Sequence, residues 1–229
     1  MKKIKDLIKK IIDKTGYTIT RTGVRMDFIS WAKDTDFENA YKKVSPYTML
    51  ERDRLFMLWQ FARQAKRFSG AMAQVGVFRG GSARLIAYAK EGNGNKFYLF
   101  DTFKGMPKVN ENIDLHREGD FINTSLEGVK EIFKDAKDIV FCPGFFPDTS
   151  APAQNENFSF VNIDVDIYQS TLDSLNFFYP KMLKGGFMFF DDYMGKNTPG
   201  VKKALDEFLI DKKEIPIVTT VGQCVIVKQ

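Results

Sequence analysis

The chain has 229 residues, 44% hydrophobic and 28% charged, a balance that excludes intrinsic disorder and fits one globular domain. Net charge is +5 with no basic stripe along the chain, so nucleic acid is not an expected partner. Its two cysteines, Cys142 and Cys224, sit in apolar strand-like runs outside any metal-binding pair, and read as buried thiols of a reducing, cytoplasmic compartment. No run of about 18 apolar residues occurs, so no transmembrane segment is expected. The N-terminus lacks the h-region of a secretory signal.

In chain order, the first 14 residues carry six lysines against two aspartates. Ile4, Leu7, Ile8, Ile11 and Ile12 recur at helical spacing with lysines opposite, which predicts an amphipathic terminal helix. That helix is a candidate contact in a homodimer or higher oligomer, or a lid segment. Residues 13–46 have no sustained periodicity, so a partly helical lead-in is expected over 1–46 and the main domain over 47–229. A helix with Leu50, Leu55, Leu58, Trp59 and Ala62 on its apolar side comes next.

From residue 71 the pattern is regular. Strands are expected at Ala71–Val77, Phe97–Phe100, Ile139–Cys142, Phe158–Ile163 and Phe187–Phe190. Helices are expected between or after them at Ser82–Lys90, Leu126–Lys134, Thr171–Phe178 and Val201–Ile210. Alternation of this kind implies parallel strands with crossover helices, the doubly wound α/β class. The tail differs, because Ile215–Thr220 and Gln223–Val227 are too close for a crossover and must pair antiparallel. The expected architecture is a mostly parallel seven-stranded sheet ending in an antiparallel hairpin.

In such sheets ligands sit beyond the carboxyl ends of the strands. After the first strand comes Gly76-Val77-Phe78-Arg79-Gly80-Gly81-Ser82, a glycine turn that matches neither a dinucleotide fingerprint nor a P-loop. The second strand ends in Asp101-Thr102-Phe103-Lys104-Gly105. A carboxylate there is placed to accept ribose hydroxyls, and it serves equally as a turn cap. Together the two features suggest a nucleoside-bearing cofactor without choosing one. The aspartates are sharper: strand four ends Asp164-Val165-Asp166 and strand five ends Asp191-Asp192. On neighbouring strands about 4.8 Å apart, Asp164, Asp191 and Asp192 crowd one edge. They repel there unless a cation neutralises them, or serve merely as strand-end caps. Oxygen ligands without His or Cys select Mg²⁺, Mn²⁺ or Ca²⁺.

Gln74–Ser82, Phe100–Pro107, Asp164-Val165-Asp166-Ile167-Tyr168-Gln169-Ser170-Thr171, Gly185-Gly186 and Asp191-Asp192-Tyr193 occur in order. Over about residues 47–208 they resemble the macrocin O-methyltransferase family, sugar O-methyltransferases that depend on S-adenosylmethionine and Mg²⁺. The resemblance implies a Rossmann-like class I methyltransferase fold, with Asp164, Asp191 and Asp192 holding the metal and Asp164 as general base. It implies a cofactor pocket lined by Thr48, Met49, Gly76, Val77, Phe78, Arg79, Gly80, Asp101, Thr102, Phe103, Lys104 and Gly105. Ser125, Phe145 and Phe146 would flank the adenine. Gln74 stands where the family usually has Glu. The acceptor implied is a small molecule or glycan with adjacent hydroxyls, under a lid formed by residues 107–121, which include Asp114, His116 and Arg117. Asp164-Val165-Asp166 alone also fits a metal-dependent glycosyltransferase, although Asp191-Asp192 and the Gly80-Gly81 turn fit it poorly. A non-catalytic glycan- or partner-binding relative is the third reading.

Overall fold

The computed structural model describes Trp31 and residues 33–229, and the expected terminal helix lies outside them. Asp34–Gln229 forms one compact unit. Its helices are α1 (Thr35–Val44), α2 (Arg52–Ala65), α3 (Gly81–Ala89), α4 (Leu126–Ile132), α5 (Tyr168–Phe178) and α6 (Pro199–Leu209). Its strands are β1 (Ala71–Val75), β2 (Phe97–Asp101), β3 (Ile139–Pro143), β4 (Phe158–Ile163), β5 (Met182–Phe190), β6 (Ile217–Val218) and β7 (Cys224–Val227).

The strands form one sheet in the order β3-β2-β1-β4-β5-β7-β6, parallel from β3 to β5 and antiparallel where β7 meets β5 and β6. Every residue of β1 and β4 is buried, as expected where helices cover both faces of a parallel sheet. On one face Val75, Phe100, Ile163 and Phe190 join Leu175 and Phe178 of α5 and Leu205 and Leu209 of α6 in a single core. On the other, Phe61 of α2 meets Phe187 at 5.3 Å and Phe189 at 5.7 Å. Helix α1, inside the stretch without periodicity, packs Phe37 edge-on against Phe56 at 5.0 Å. Both cysteines are free and buried, and burial pushes their thiols up to about 11 at Cys142 and about 12 at Cys224.

Most boundaries shift from expectation by one or two residues, the strand expected at 215–220 shrinks to Ile217–Val218, and three of the shifts have a local reason. Strand β1 stops at Val75 because Gly76 turns to φ +82°. Strand β5 starts at Met182 because a bulge, with Gly185 at φ +81°, lets it pair both Phe158 and Phe160 of β4. Helix α5 starts at Tyr168, where its first amide donates to Asp114 from 54 residues away at 2.8 Å.

Candidate functional site

The order of the strands reverses at β1, which has β2 on one side and β4 on the other. A ligand crevice belongs at the carboxyl ends there. Register then decides which residues meet. Phe100, Val75, Ile163 and Phe190 form one row across β2, β1, β4 and β5. The next residue of each strand is therefore Asp101, Gly76, Asp164 and Asp191, side by side at the edge. The row stays tight: a Cβ on Gly76 would stand 1.8 Å from the Asp164 carbonyl oxygen, so only glycine fits.

A cavity of about 290 Å³ opens above this row. Of the expected cofactor residues, Thr48, Met49, Gly76, Val77, Phe78, Asp101, Thr102, Gly105, Phe145 and Phe146 line it. Arg79, Gly80, Phe103, Lys104 and Ser125 do not. Gly80 points at α4, where a Cβ would lie 2.7 Å from Ile132, and the Arg79 guanidinium donates to the Asn123 carbonyl at 3.1 Å. Ser125 caps α4, accepting from the Gly128 amide at 3.1 Å. Phe146 lies mostly within the core, stacked on Phe178 at 5.4 Å, whereas Phe145 is exposed. Gln74 is fully buried beneath the turn, donating to Gly76 O at 2.7 Å and Ser82 Oγ at 2.8 Å.

Asp101 is already engaged by the protein. One oxygen accepts the amides of Val77 at 2.6 Å and Phe78 at 2.8 Å, and the other accepts Phe103 N at 2.6 Å. The carboxylate thus holds the glycine turn against the end of β2. Residual acceptor capacity remains on one oxygen for a ligand hydroxyl.

The expected lid over 107–121 is anchored. Its neck is closed by Met106 N to Asp120 O at 2.7 Å and Gly119 N to Met106 O at 2.9 Å. Asp114 is buried in its middle and caps α5, and Gly200 of α6 leaves it room: a Cβ there would stand 2.1 Å from Asp114 Oδ1. His116 pairs with Asp120 at 3.0 Å and is not on the cavity wall.

Asp164, Asp191 and Asp192 each offer a ligand atom, all within 4.8 Å of one another. Burial pushes Asp164 well above the usual carboxylate range, with Asp191 and Asp192 adding to the rise. Asp191 is pushed up to about 7 by burial and by Asp192, against the pull of Arg54 and Gln223. The donor set is all oxygen, and the buried Asp192 Oδ2 has no hydrogen-bond partner. These residues fit a hard divalent cation. Two further groups belong to the cluster, and the family resemblance assigns a role to neither. Asp166, also on the wall, is raised by burial and by Asp192, and keeps φ +62°. Arg54 of α2 donates to Asp191 O at 2.8 Å, to Asp191 Oδ2, and to Asp192 Oδ1 at 3.2 Å. Burial opposes its charge, yet the surrounding aspartates outweigh that and raise its pKa. A signal for Arg54 was present, because a cation in the first turn of a helix opposes the helix dipole and calls for compensating acids. Gln223, which donates to Asp191 Oδ1 at 2.5 Å, carried none.

The profile of the Macrocin-O-methyltransferase (TylF) family matches residues 14–227. The chain is 33% identical over 153 residues to demethyldecarbamoylnovobiocin O-methyltransferase of Streptomyces niveus, a match covering 61% of this chain and 58% of that protein. It is 30% identical over 180 residues to mycinamicin III 3''-O-methyltransferase of Micromonospora griseorubida, covering 71% and 70%. The chain thus spans little more than half the length of the first relative and over two thirds of the second. The solved O-methyltransferase NovP superposes with a TM-score of 0.70 at 28% identity, over 80% of this chain and 82% of NovP. The calicheamicin methyltransferase CalS11 shares the fold, with a TM-score of 0.66 at 17% identity over 84% and 91% of the two chains. By the reach of that profile and the identity to these relatives, the chain belongs to the macrocin O-methyltransferase family.

Proposed function

We propose that this chain is an S-adenosylmethionine-dependent O-methyltransferase that methylates a sugar hydroxyl with the help of a divalent metal, Mg²⁺ or Mn²⁺. The observation that carries the reading is the single cavity that the glycine turn, Asp101 and the cluster of Asp164, Asp191 and Asp192 share. The acceptor class, a small molecule or glycan with adjacent hydroxyls, rests on the named substrates of the family relatives and on that all-oxygen cluster.

S-adenosylmethionine supplies a sulfonium methyl for in-line displacement. A divalent cation supplies a Lewis acid that lowers the pKa of a hydroxyl beside it. The chain's own residues do the rest. The turn from Gly76 to Phe78, held by Asp101, and the wall residues Thr48, Met49 and Phe145 bind and orient the donor. Asp164, Asp191 and Asp192 would hold the metal. Asp164, whose carboxyl burial pushes above the usual carboxylate range, takes the hydroxyl proton. Asp166 lines the same wall outside the three ligand positions and is the second group able to do so.

The two carboxylates separate experimentally. Asp164→Asn should lose metal affinity and about 10²–10⁴-fold in rate. If Asp166 receives the proton instead, Asp166→Asn should lose that rate with metal affinity retained. S-adenosylmethionine should raise Tm and UDP-sugars should not. Full turnover in excess EDTA, measured as methyl transfer to a panel of free, nucleotide-linked and lipid-linked sugars, would remove the metal from the scheme.

A further inference from the structure

Arg54 contacts two of the three aspartates that would hold a dication. It contacts the two carboxylates that follow β5 through one nitrogen, Nη2, reaching Asp191 Oδ2 and, at 3.2 Å, Asp192 Oδ1. The remaining oxygens differ in how they are held. Asp191 Oδ1 accepts from Gln223 Nε2 at 2.5 Å, and Asp192 Oδ2 is buried without a partner. A metal drawing one atom from each aspartate would meet no hydrogen-bond donor at Asp192 Oδ2, but at Asp191 it would share or displace one.

The two donors on Asp191 are not equally able to leave. Gln223 is fully buried and its amide is also fixed to the Arg54 carbonyl at 3.2 Å. The Arg54 side chain is 23% exposed, sits on a long flexible stem and borders the open cavity. A second carboxylate waits nearby: Glu51 Oε2 lies 4.0 Å from Arg54 Nη1, one turn back, and is itself largely exposed. Like charges in a partly buried site repel strongly, so the guanidinium and a dication cannot both rest on Asp191 at full strength.

We propose that Arg54 is the built-in counter-cation of this cluster, and that metal entry displaces it from Asp191 and Asp192 toward Glu51. In the metal-free protein Arg54 neutralises buried aspartates that would otherwise repel. It thereby keeps the ligands assembled, at the cost of weakening the metal's hold. The inference rests on the metal reading above, and its test is built to fail separately from it.

The test is Mn²⁺ binding by calorimetry on folded full-length protein, with Tm measured in parallel. Arg54→Met removes the competing charge and should tighten Mn²⁺ binding by about tenfold or more while lowering the Tm of the metal-free protein. Arg54→Gln keeps a donor for Asp191 without the charge and carries the same expectation should the Met variant not fold. Arg54→Lys should stay near the wild-type affinity, and Glu51→Gln should weaken binding several-fold by removing the alternative partner. A merely structural role for Arg54 cannot produce tighter metal binding. Unchanged or weaker binding in both neutral variants, with the wild type binding normally, would overturn the inference alone. Absence of Mn²⁺ binding in every folded variant, wild type included, would instead overturn the metal reading on which it stands.

Discussion

Asp101 joins a structural role to its proposed one at the ligand. Its carboxylate accepts three backbone amides, from Val77, Phe78 and Phe103, and so sets the shape of the turn that lines the cavity. Asp101→Ala should therefore cost stability as well as cofactor affinity, about 3 kcal/mol or more, because buried donors lose a charged acceptor. Asp101→Asn retains one acceptor oxygen and should lose less of both. Denaturant titration alongside calorimetry checks this, and lost affinity with unchanged stability would mean that the carboxylate serves only the ligand. The aspartate at the end of β2 was legible as a ligand candidate from its position. Its three amide partners were not, because they depend on how the turn after β1 folds back across the sheet.

Among the elements, the loop after β2 shows most clearly what packing adds. Asp114 reaches the first amide of α5, a helix with no side-chain cap of its own, and Gly200 at the start of α6 makes the space. Loop, α5 and α6 meet at this one carboxylate, directly after the Asp164–Asp166 segment. Removing the cap by Asp114→Ala should cost about 1–2 kcal/mol and speed amide exchange at residues 168–170 and in the loop. Gly200→Ala pushes a methyl into the same oxygen and should destabilise by a comparable or larger amount. Since they share the Asp114 oxygen, while the new methyl also meets the Tyr168 backbone, the double variant should fall short of the sum, and full additivity by denaturation would refute the shared contact. A lid over the acceptor is the expectation for this stretch. A single buried aspartate anchors its middle to α5.

For the molecule as a whole, the acidic cluster ties stability to pH. Asp191 is raised to about 7 by burial and by Asp192, against an ordinary value of 3.8. The metal-free folded protein then holds a proton that the unfolded chain has released. This contribution to stability is complete below about pH 4 and is lost as pH rises through about 7. A metal needs the deprotonated ligand, so its affinity should rise across the same window. The gain in Tm on adding Mg²⁺ should accordingly be larger at pH 8 than at pH 6, read by scanning calorimetry at constant ionic strength. An equal gain at both values would show that Asp191 is not among the ligands.

Periodicity, strand-end chemistry and glycine placement are properties of short windows, and those windows carried the class of fold, the seven strands and the candidate ligands. The apolar runs of β1 and β4 could be buried only between two helical layers, and the short gap near Gly222 could close only as an antiparallel pair. What single windows cannot contain is register. That Asp101, Gly76, Asp164 and Asp191 stand in one row follows from four strands paired in a given alignment. That Arg54 lies on Asp191, across 137 residues of chain, follows from how α2 settles on β4 and β5. Such contacts depend on long-range packing, where one residue's slip would turn every side chain to the opposite face, and only the tertiary structure decides them.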